Sequence, residues 1–459
     1  MKALLNQQNR APLAFAAMGL LLVGVGMGQS WPFALAILNL CLISAVMSLG
    51  VNIQWGYAGL LNLGVMGFTA LGGLAAVLVS EAPVLEAWSV GGQGMAVSFI
   101  LVIITIVLSI LVYRNMVASW QRRLALAGLY IGAYFVINYF YRPAVYAIES
   151  VNPATSGFLG GMGMPVIFSW FLGGVMAAGV AWVVGKITLG LRSDYLAIAT
   201  LGISEIIIAV LKNEDWLARG VKNVAGLDRP VPFELDLQAT PWFVDMVQSL
   251  FSAHLAELAD AQRVDTLHQL VIQSSSIFVK LCYTGLFSVV LVSVLLLSMK
   301  ALNSPWGRMM RAIRDNEVAA SAMGKDVTAR HLQVFILGSA IIGVAGAMLI
   351  TLDGQFTPTS FRPIRYTFLI WVMVIVGGSG NNMGAVLGSF LIWIAWIEAE
   401  PLGVWLMEFG TSGMDQDNWL KLHLIENAQH MRLFFMGFIL LLVMRFSPGG
   451  ILPEVIRKR

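Results

Sequence analysis

The chain has 459 residues, of which 58% are hydrophobic and 12% charged, with a formal net charge of +3 and a mean hydropathy of +0.79. Soluble domains carry about 25% charged residues, so half that share excludes an ordinary water-soluble fold. The expected surrounding is a lipid bilayer, with no nucleic acid as partner.

In chain order, apolar blocks occupy 11–28, 32–50, 65–80, 95–113, 124–141, 166–187 and 195–211. After a polar stretch at 212–275 they resume at 278–299, 332–352, 364–377, 384–399 and 432–446. About 20 residues cross a hydrocarbon core, so the pattern allows twelve crossings. Blocks 65–80 and 364–377 are short and flanked by glycine, and read as broken or re-entrant segments, tolerated where protein covers the freed backbone. The expected fold is an all-α polytopic transmembrane bundle of 10–12 spans, including short or broken helices. Its parts are N-terminal transmembrane helices (1–211), an extracytoplasmic segment (212–276) and C-terminal transmembrane helices (277–459) with a cytoplasmic loop at 300–331. The first block follows Lys2 and Arg10, and a second span follows within a few residues, so it reads as a retained span rather than a cleaved signal. Cys41 and Cys282 sit far apart inside apolar blocks and read as small core residues, not as a disulfide framework.

Cytoplasmic loops hold the excess of Lys and Arg. With both termini in the cytoplasm, Arg114/Arg122/Arg123, Lys186/Arg192, Lys300/Arg308/Arg311/Arg314/Lys325/Arg330 and Arg445/Arg457/Lys458/Arg459 fall on one side. Arg142, Arg362 and Arg365 are a minority at outer ends, and the acid-rich 212–275 stretch lies outside. Within it Phe243, Met246, Val247, Leu250 and Phe251 recur at helical spacing, as in a short amphipathic helix against the membrane face. That segment reads as a cap over helix ends or a docking surface for an extracytoplasmic partner.

Glu205 stands near the middle of 195–211, where an acid costs a few kcal/mol. It reads either as a brace hydrogen-bonded to a neighbouring Ser or Thr, or as a lining of the transport route near a substrate ammonium. Gly56, Gly59, Gly64 and Gly67, with Gln54 and Asn62 beside them, form one small-residue segment; Gly377, Gly378, Gly380, Gly384 and Gly388 form another. Both permit close packing or an unwound turn. Gly-interrupted short segments in separate halves point to a route built from broken helices.

In the 300–331 loop, Asn303 or Ser304 caps a helix whose first residue is Pro305. Trp306, Met309, Met310 and Ile313 repeat at helical spacing, with Arg308, Arg311 and Arg314 on the remaining surface. A second short helix over 318–323 ends at Gly324, and Asp326 caps the next span. An exposed aromatic and methionines on such a loop call for a partner's groove or for lipid headgroups.

The run Gly307-Arg308-x-x-Arg311-Ala312-Ile313-Arg314-x-x-Glu317-x-Ala319-Ala320-x-x-x-Gly324 resembles the cytoplasmic loop of the branched-chain amino acid permeases of bacterial ABC importers. Gly56-Tyr57-Ala58-Gly59 with Gly64, Asp194 to Gly202 through Thr200 and on to Glu205-Ile206, and Gly377-Gly378-Ser379-Gly380 with Gly384 and Gly388 resemble three further family segments in the family's order. The importer loop's Glu-Ala-Ala aligns on Val318-Ala319-Ala320, so its acid is displaced to Glu317; Val65 stands where many relatives have His. The resemblance implies that Trp306–Gly324 engages ATPases. It also implies two cytoplasmic ATPase subunits, a second homologous permease subunit and a periplasmic substrate-binding protein, all at a bacterial inner membrane. The implied cargo is a branched-chain or related amino acid; urea or a short amide is an alternative, as is an ion-coupled carrier using Glu205. The sequence has no Gly-x-x-x-x-Gly-Lys-Ser/Thr loop, hence no ATP site of its own. Nor does it show a nucleophile elbow, paired acids or histidines at metal-ligand spacing, so a transporter without cofactor is expected rather than an enzyme.

Overall fold

The structure, a computed structural model, describes residues 7–154, 156–415 and 418–454; Lys2, Arg457, Lys458 and Arg459 lie outside them. Seven helices come first: α1 (Gln7–Gly28), α2 (Trp31–Ala58), α3 (Val65–Ser80), α4 (Leu85–Asn115), α5 (Trp120–Ser150), α6 (Ile167–Thr188) and α7 (Ser193–Asn213). Four short helices follow, α8 (Asp215–Ala218), α9 (Glu234–Ala239), α10 (Pro241–Leu250) and α11 (Ser252–Ala256). The long α12 (Asp260–Asn303) leads to α13 (Pro305–Asp315) and α14 (Glu317–Ala322), then to α15 (Val327–Asp353) and α16 (Pro363–Gly377). The last are α17 (Asn382–Gly410), α18 (Trp419–Glu426) and α19 (Met431–Phe446). Among the described residues nine helices are long and apolar enough to cross a membrane, and α18 with α19, bent by 67°, would make a tenth. The apolar α3 and α16 are shorter. This is the polytopic helical bundle the hydropathy implied.

Every expected block is a helix, but several run further. The block at 278–299 is the middle of α12, which starts at Asp260: hydropathy sees only the hydrocarbon-facing part, while the backbone ladder continues through polar turns. Chain punctuation explains the ends. Ser30 accepts from the Phe33 amide at 3.3 Å to open α2, and Gly59 closes it with φ +72°, a left-handed conformation glycine adopts without penalty.

α2, α3, α6, α15, α16 and α17 form the centre. α3, α6 and α15 meet at Gly72, Gly173 and Gly343: a Cβ on Gly72 would lie 1.9 Å from the Gly343 carbonyl oxygen, and one on Gly343 2.4 Å from that of Gly173. Small residues at such crossings let backbones touch. Away from the elbow formed by α13 and α14, Val224–Ala225 pairs antiparallel with Gln355–Phe356, pinning the 212–275 segment to the α15–α16 connection. The amphipathic helix appears as α10. Its Phe243 and Val247 are buried, Phe243 with a ring centroid 5.8 Å from that of Phe278 on α12, so this part of its apolar face covers a helix of this chain while Met246 and Leu250 stay exposed.

Candidate functional site: an elbow seated on two interrupted helices

The elbow is built by local signals. Pro305 occupies the first turn of α13, and Ser304 is its N-cap, although its hydroxyl donates backward to the Ala301 carbonyl at 2.6 Å instead of capping. Asn316 accepts from the Ala319 amide at 2.9 Å to start α14, Gly324 ends the elbow with φ +76°, and Asp326 caps α15 through the Ala329 amide at 3.0 Å. A Cβ on Gly307 would lie 2.2 Å from the Leu302 carbonyl oxygen, so only glycine lets α13 fold back on the end of α12.

The apolar stripe of α13 corrects the sequence expectation. Met310 and Ile313 are buried in the chain's own core, and Trp306 and Met309 pack against it. An amphipathic pattern says that a face is covered, not by what; here the bundle covers it. The free apolar groups stand on α14 and its C-cap, where Val318 and Met323 are each 80% exposed.

Two of the three arginines also turn inward. Arg311 donates to the Leu302 carbonyl at 3.2 Å, while Arg308 reaches the Asn303 carbonyl at 3.3 Å and stays exposed. Arg314 donates to the Gly56 carbonyl and, at 2.9 Å, to Glu454. Burial alone would lower its pKa, but the hydrogen bond and charge of Glu454, then of Asp315, raise it, so the cation persists. Trp306 adds a 3.3 Å bond to Gln333 on α15. The elbow is thus tied to the ends of α12 and α2, to the first turns of α15 and to the C-terminal segment.

The early and late glycine segments meet beneath it. Asn52 bonds Asn382 at 3.0 Å and accepts from the Gly380 amide at 2.9 Å. A Cβ on Gly56 would lie 2.4 Å from the Gly380 nitrogen. Tyr57, Arg311, Gly380 and Glu454 line one cavity of about 320 Å³ under the elbow. After Gly59 the chain runs without helix to Gly64 and enters the bundle again as α3. Buried side chains hold this unwound stretch. Asn62 donates to Gln54 at 2.9 Å, and Gln54 donates to the Phe335 carbonyl at 2.9 Å and to Ser339 at 3.2 Å. Trp371 donates to the Asn62 carbonyl at 3.0 Å, and the Leu63 amide to Thr200 at 3.1 Å. Irregular backbone survives at membrane depth only when protein satisfies it in this way.

The sequence profile described as "branched-chain amino acid transport system / permease component" matches residues 124–444, well over half of the chain. The chain belongs to that permease family. It is similar to the high-affinity branched-chain amino acid transport system permease protein LivM of Escherichia coli, 24% identical over 286 residues, which are 61% of this chain and 56% of that one. It is similar to the probable branched-chain amino acid transport permease protein LivM of Methanocaldococcus jannaschii, 28% identical over 155 residues (34% of this chain, 41% of that one). A shorter likeness, 29% over 109 residues, is to the fructose import permease protein FrcC of Rhizobium meliloti, covering 23% of this chain and 30% of that one. The matches span about half the length or less of these curated relatives. No solved structure matches.

In this permease the late glycines divide by role. Gly377, Gly384 and Gly388 bring α16 against α17, since a Cβ on Gly377 would meet the Gly384 carbonyl oxygen at 2.0 Å. Gly378 (φ +118°) and Gly380 (φ +80°) instead form the turn, held by the Leu452 amide donating to the Gly377 carbonyl at 2.9 Å. Of the two roles the sequence leaves open for Glu205, brace or lining, no bracing bond is formed among the described residues. Glu205 is exposed and, among the described residues, makes no hydrogen bond or ion pair; Thr200 and Ser204 are the residues of α7 that face α3. It lines a cleft of about 860 Å³ between α7, α16 and α19 together with Arg362, Arg365, Lys212 and Arg432. Arg365 stacks over Trp396 at 4.9 Å and Arg432 pairs with Glu400.

Proposed function

We propose that this permease is the membrane subunit of an ATP-driven importer for branched-chain or related amino acids, moved by ATPases that grip α13 and α14. The observation that carries this reading is Arg314, which joins the elbow to the Gly56 carbonyl at the end of α2 and to Glu454. A push on α14, whose Val318 and Met323 offer an apolar anchor for a groove, is delivered through Arg314 to α2. From there the Asn52–Asn382 and Asn52–Gly380 bonds pass it to the α16–α17 turn, and the bundle rocks between two access states. With no phosphate loop in the sequence, ATP is hydrolysed by two cytoplasmic ATPase subunits. A second permease subunit and a periplasmic substrate-binding protein complete the assembly. The elbow and both termini then face the cytoplasm, and the chain resides in a bacterial inner membrane.

The test is uptake into liposomes by the assembled complex. Uptake should require ATP and the ATPases, and Arg314→Glu should uncouple hydrolysis from flux while the complex still assembles. The unpaired Glu205 in its cleft favours a second reading, an ion-coupled carrier. Flux by this chain alone, collapsing with an ion gradient and indifferent to ATP, would establish that reading and reject the first.

A further inference from the structure

Among the described residues, the hydrogen bonds that fasten the α4–α5 hairpin to its neighbours all lie at the end away from the elbow. There the Val84 amide and the Trp88 indole donate to the Leu159 carbonyl at 3.1 and 3.0 Å, and the Leu159 amide donates to the Trp216 carbonyl at 3.0 Å. The Tyr141 hydroxyl and, at 2.6 Å, the Trp216 indole donate to Glu214. α4 and α5 also press together at this end, since a Cβ on Gly91 would lie 2.7 Å from the Ala144 carbonyl oxygen. Toward the other end the support stops. Cβ atoms on Gly128 and Gly132 of α5 would meet nothing within 4 Å, and the most apolar windows of α4 and α5 are 11% and 0% buried within the protein.

The unsupported end is basic. Between Glu86 and Glu149 the only charged residues are Arg114, Arg122, Arg123 and Arg142. The first three meet at the tip of the hairpin, Arg114 in the last turn of α4 and the others in the first turn of α5, where no acid stands. Their side chains form no hydrogen bond or ion pair with any described residue; Arg122 lies over the Tyr113 ring at 4.6 Å, within the hairpin itself. Tyr113, Val117 and Trp120 stand exposed around them. Each helix has 31 residues, about 46 Å at 1.5 Å per residue, against a hydrocarbon core of ~30 Å and a whole bilayer of ~40–45 Å. α3 leads away from the elbow alongside α15, with Gly73 against Ile350, so α4 returns to the elbow's side and carries the tip through the hydrocarbon to the headgroups. Tyr and Trp settle at that depth, and three unpaired cations there call for anions. A water-soluble anion would satisfy the arginines and leave the apolar flanks beneath them bare; a lipid covers both. We propose that the hairpin tip is a binding site for an anionic phospholipid, its phosphate held by Arg114, Arg122 and Arg123 and its acyl chains laid along α4 and α5. The membrane then supplies the hairpin's second point of attachment, whatever the permease carries.

The experiment is native mass spectrometry of the full chain with dioleoylphosphatidylglycerol and dioleoylphosphatidylcholine as probes. An arginine at an anionic headgroup is worth about fivefold in affinity, so the first phosphatidylglycerol should bind about tenfold more tightly than phosphatidylcholine, or better. Arg114→Gln with Arg122→Gln and Arg123→Gln should erase that preference. Arg308→Gln with Arg445→Gln, at two exposed arginines elsewhere on the elbow's side, should keep it. Glycerol 3-phosphate, which has the headgroup's charge and no acyl chain, should not displace the bound lipid. A second measurement stands even if the glutamine variants misfold: nitroxides at Val117→Cys and Leu191→Cys, in a chain with Cys41→Ala and Cys282→Ala. Their distance distribution should be narrow in bilayers containing phosphatidylglycerol and about twice as broad in pure phosphatidylcholine. Equal affinity for the two lipids, a preference that survives the triple substitution or vanishes equally in the Arg308 and Arg445 pair, displacement by glycerol 3-phosphate, or distributions of equal width would each overturn the proposal.

Discussion

α2 and α5 are both long apolar helices, yet 78% of the most apolar window of α2 is buried within the protein and none of that of α5. α2 carries Asn39, Asn52 and Gln54, all buried and all hydrogen-bonded. α5 packs along α4 and turns Tyr130, Tyr134, Phe135 and Tyr139 outward. Lipid and protein interior are alike in polarity, so hydropathy gives both helices the same mark. What separates them is the placement of amides and small residues, which have value only where another backbone is close. The working parts gather on the α2 side, and the α4–α5 hairpin offers a surface to lipid.

The sharpest way to break this contrast is the charge at its centre. Arg314→Glu sets two carboxylates together at Glu454 and leaves the Gly56 carbonyl without its donor. Losing one partner of such a pair costs about 2–5 kcal/mol, so ATP-coupled uptake should fall at least tenfold, with partial return in Arg314→Glu combined with Glu454→Arg. Next come paired glycine replacements read by thermal unfolding in detergent. Gly72→Leu drives a side chain into the Gly343 carbonyl and should cost about 1–3 kcal/mol or more. Gly128→Leu on α5, where a Cβ meets nothing within 4 Å, should stay within about 0.5 kcal/mol. A comparable loss at Gly128 would mean that something covers α5. Asn52→Leu strips the Gly380 amide and Asn382 of their partner and should cost about 1–3 kcal/mol; an unchanged melting temperature would show that those bonds do not hold the turn. The smallest effect is expected from Val318→Ser with Met323→Ser on α14, about 0.5 kcal/mol or less in stability. In co-purification the same pair should lose the ATPases, and retention of them would move the docking surface elsewhere.

Much of this architecture was legible because bilayer physics writes helices as blocks of apolar residues, and Gly324 and Asp326 mark the helix ends read from them. What escaped the sequence concerns orientation. The Trp306–Ile313 stripe has the same spacing whether a partner or the bundle covers it, and the bundle does. Glu205 sits on a helix whose buried side is set by Thr200 and Ser204 against α3, a fact that arises only on packing.

Asn62 has an implication for how such a chain tolerates change. Its amide and carbonyl, with the neighbouring Leu63 nitrogen, reach Gln54 on α2, Trp371 on α16 and Thr200 on α7. Three helices therefore share one knot in a stretch with no ladder of its own. Adding or removing a single residue between Gly59 and Gly64 would turn that knot away from all three at once. The length of this six-residue tether, more than its composition, is what the bundle cannot renegotiate.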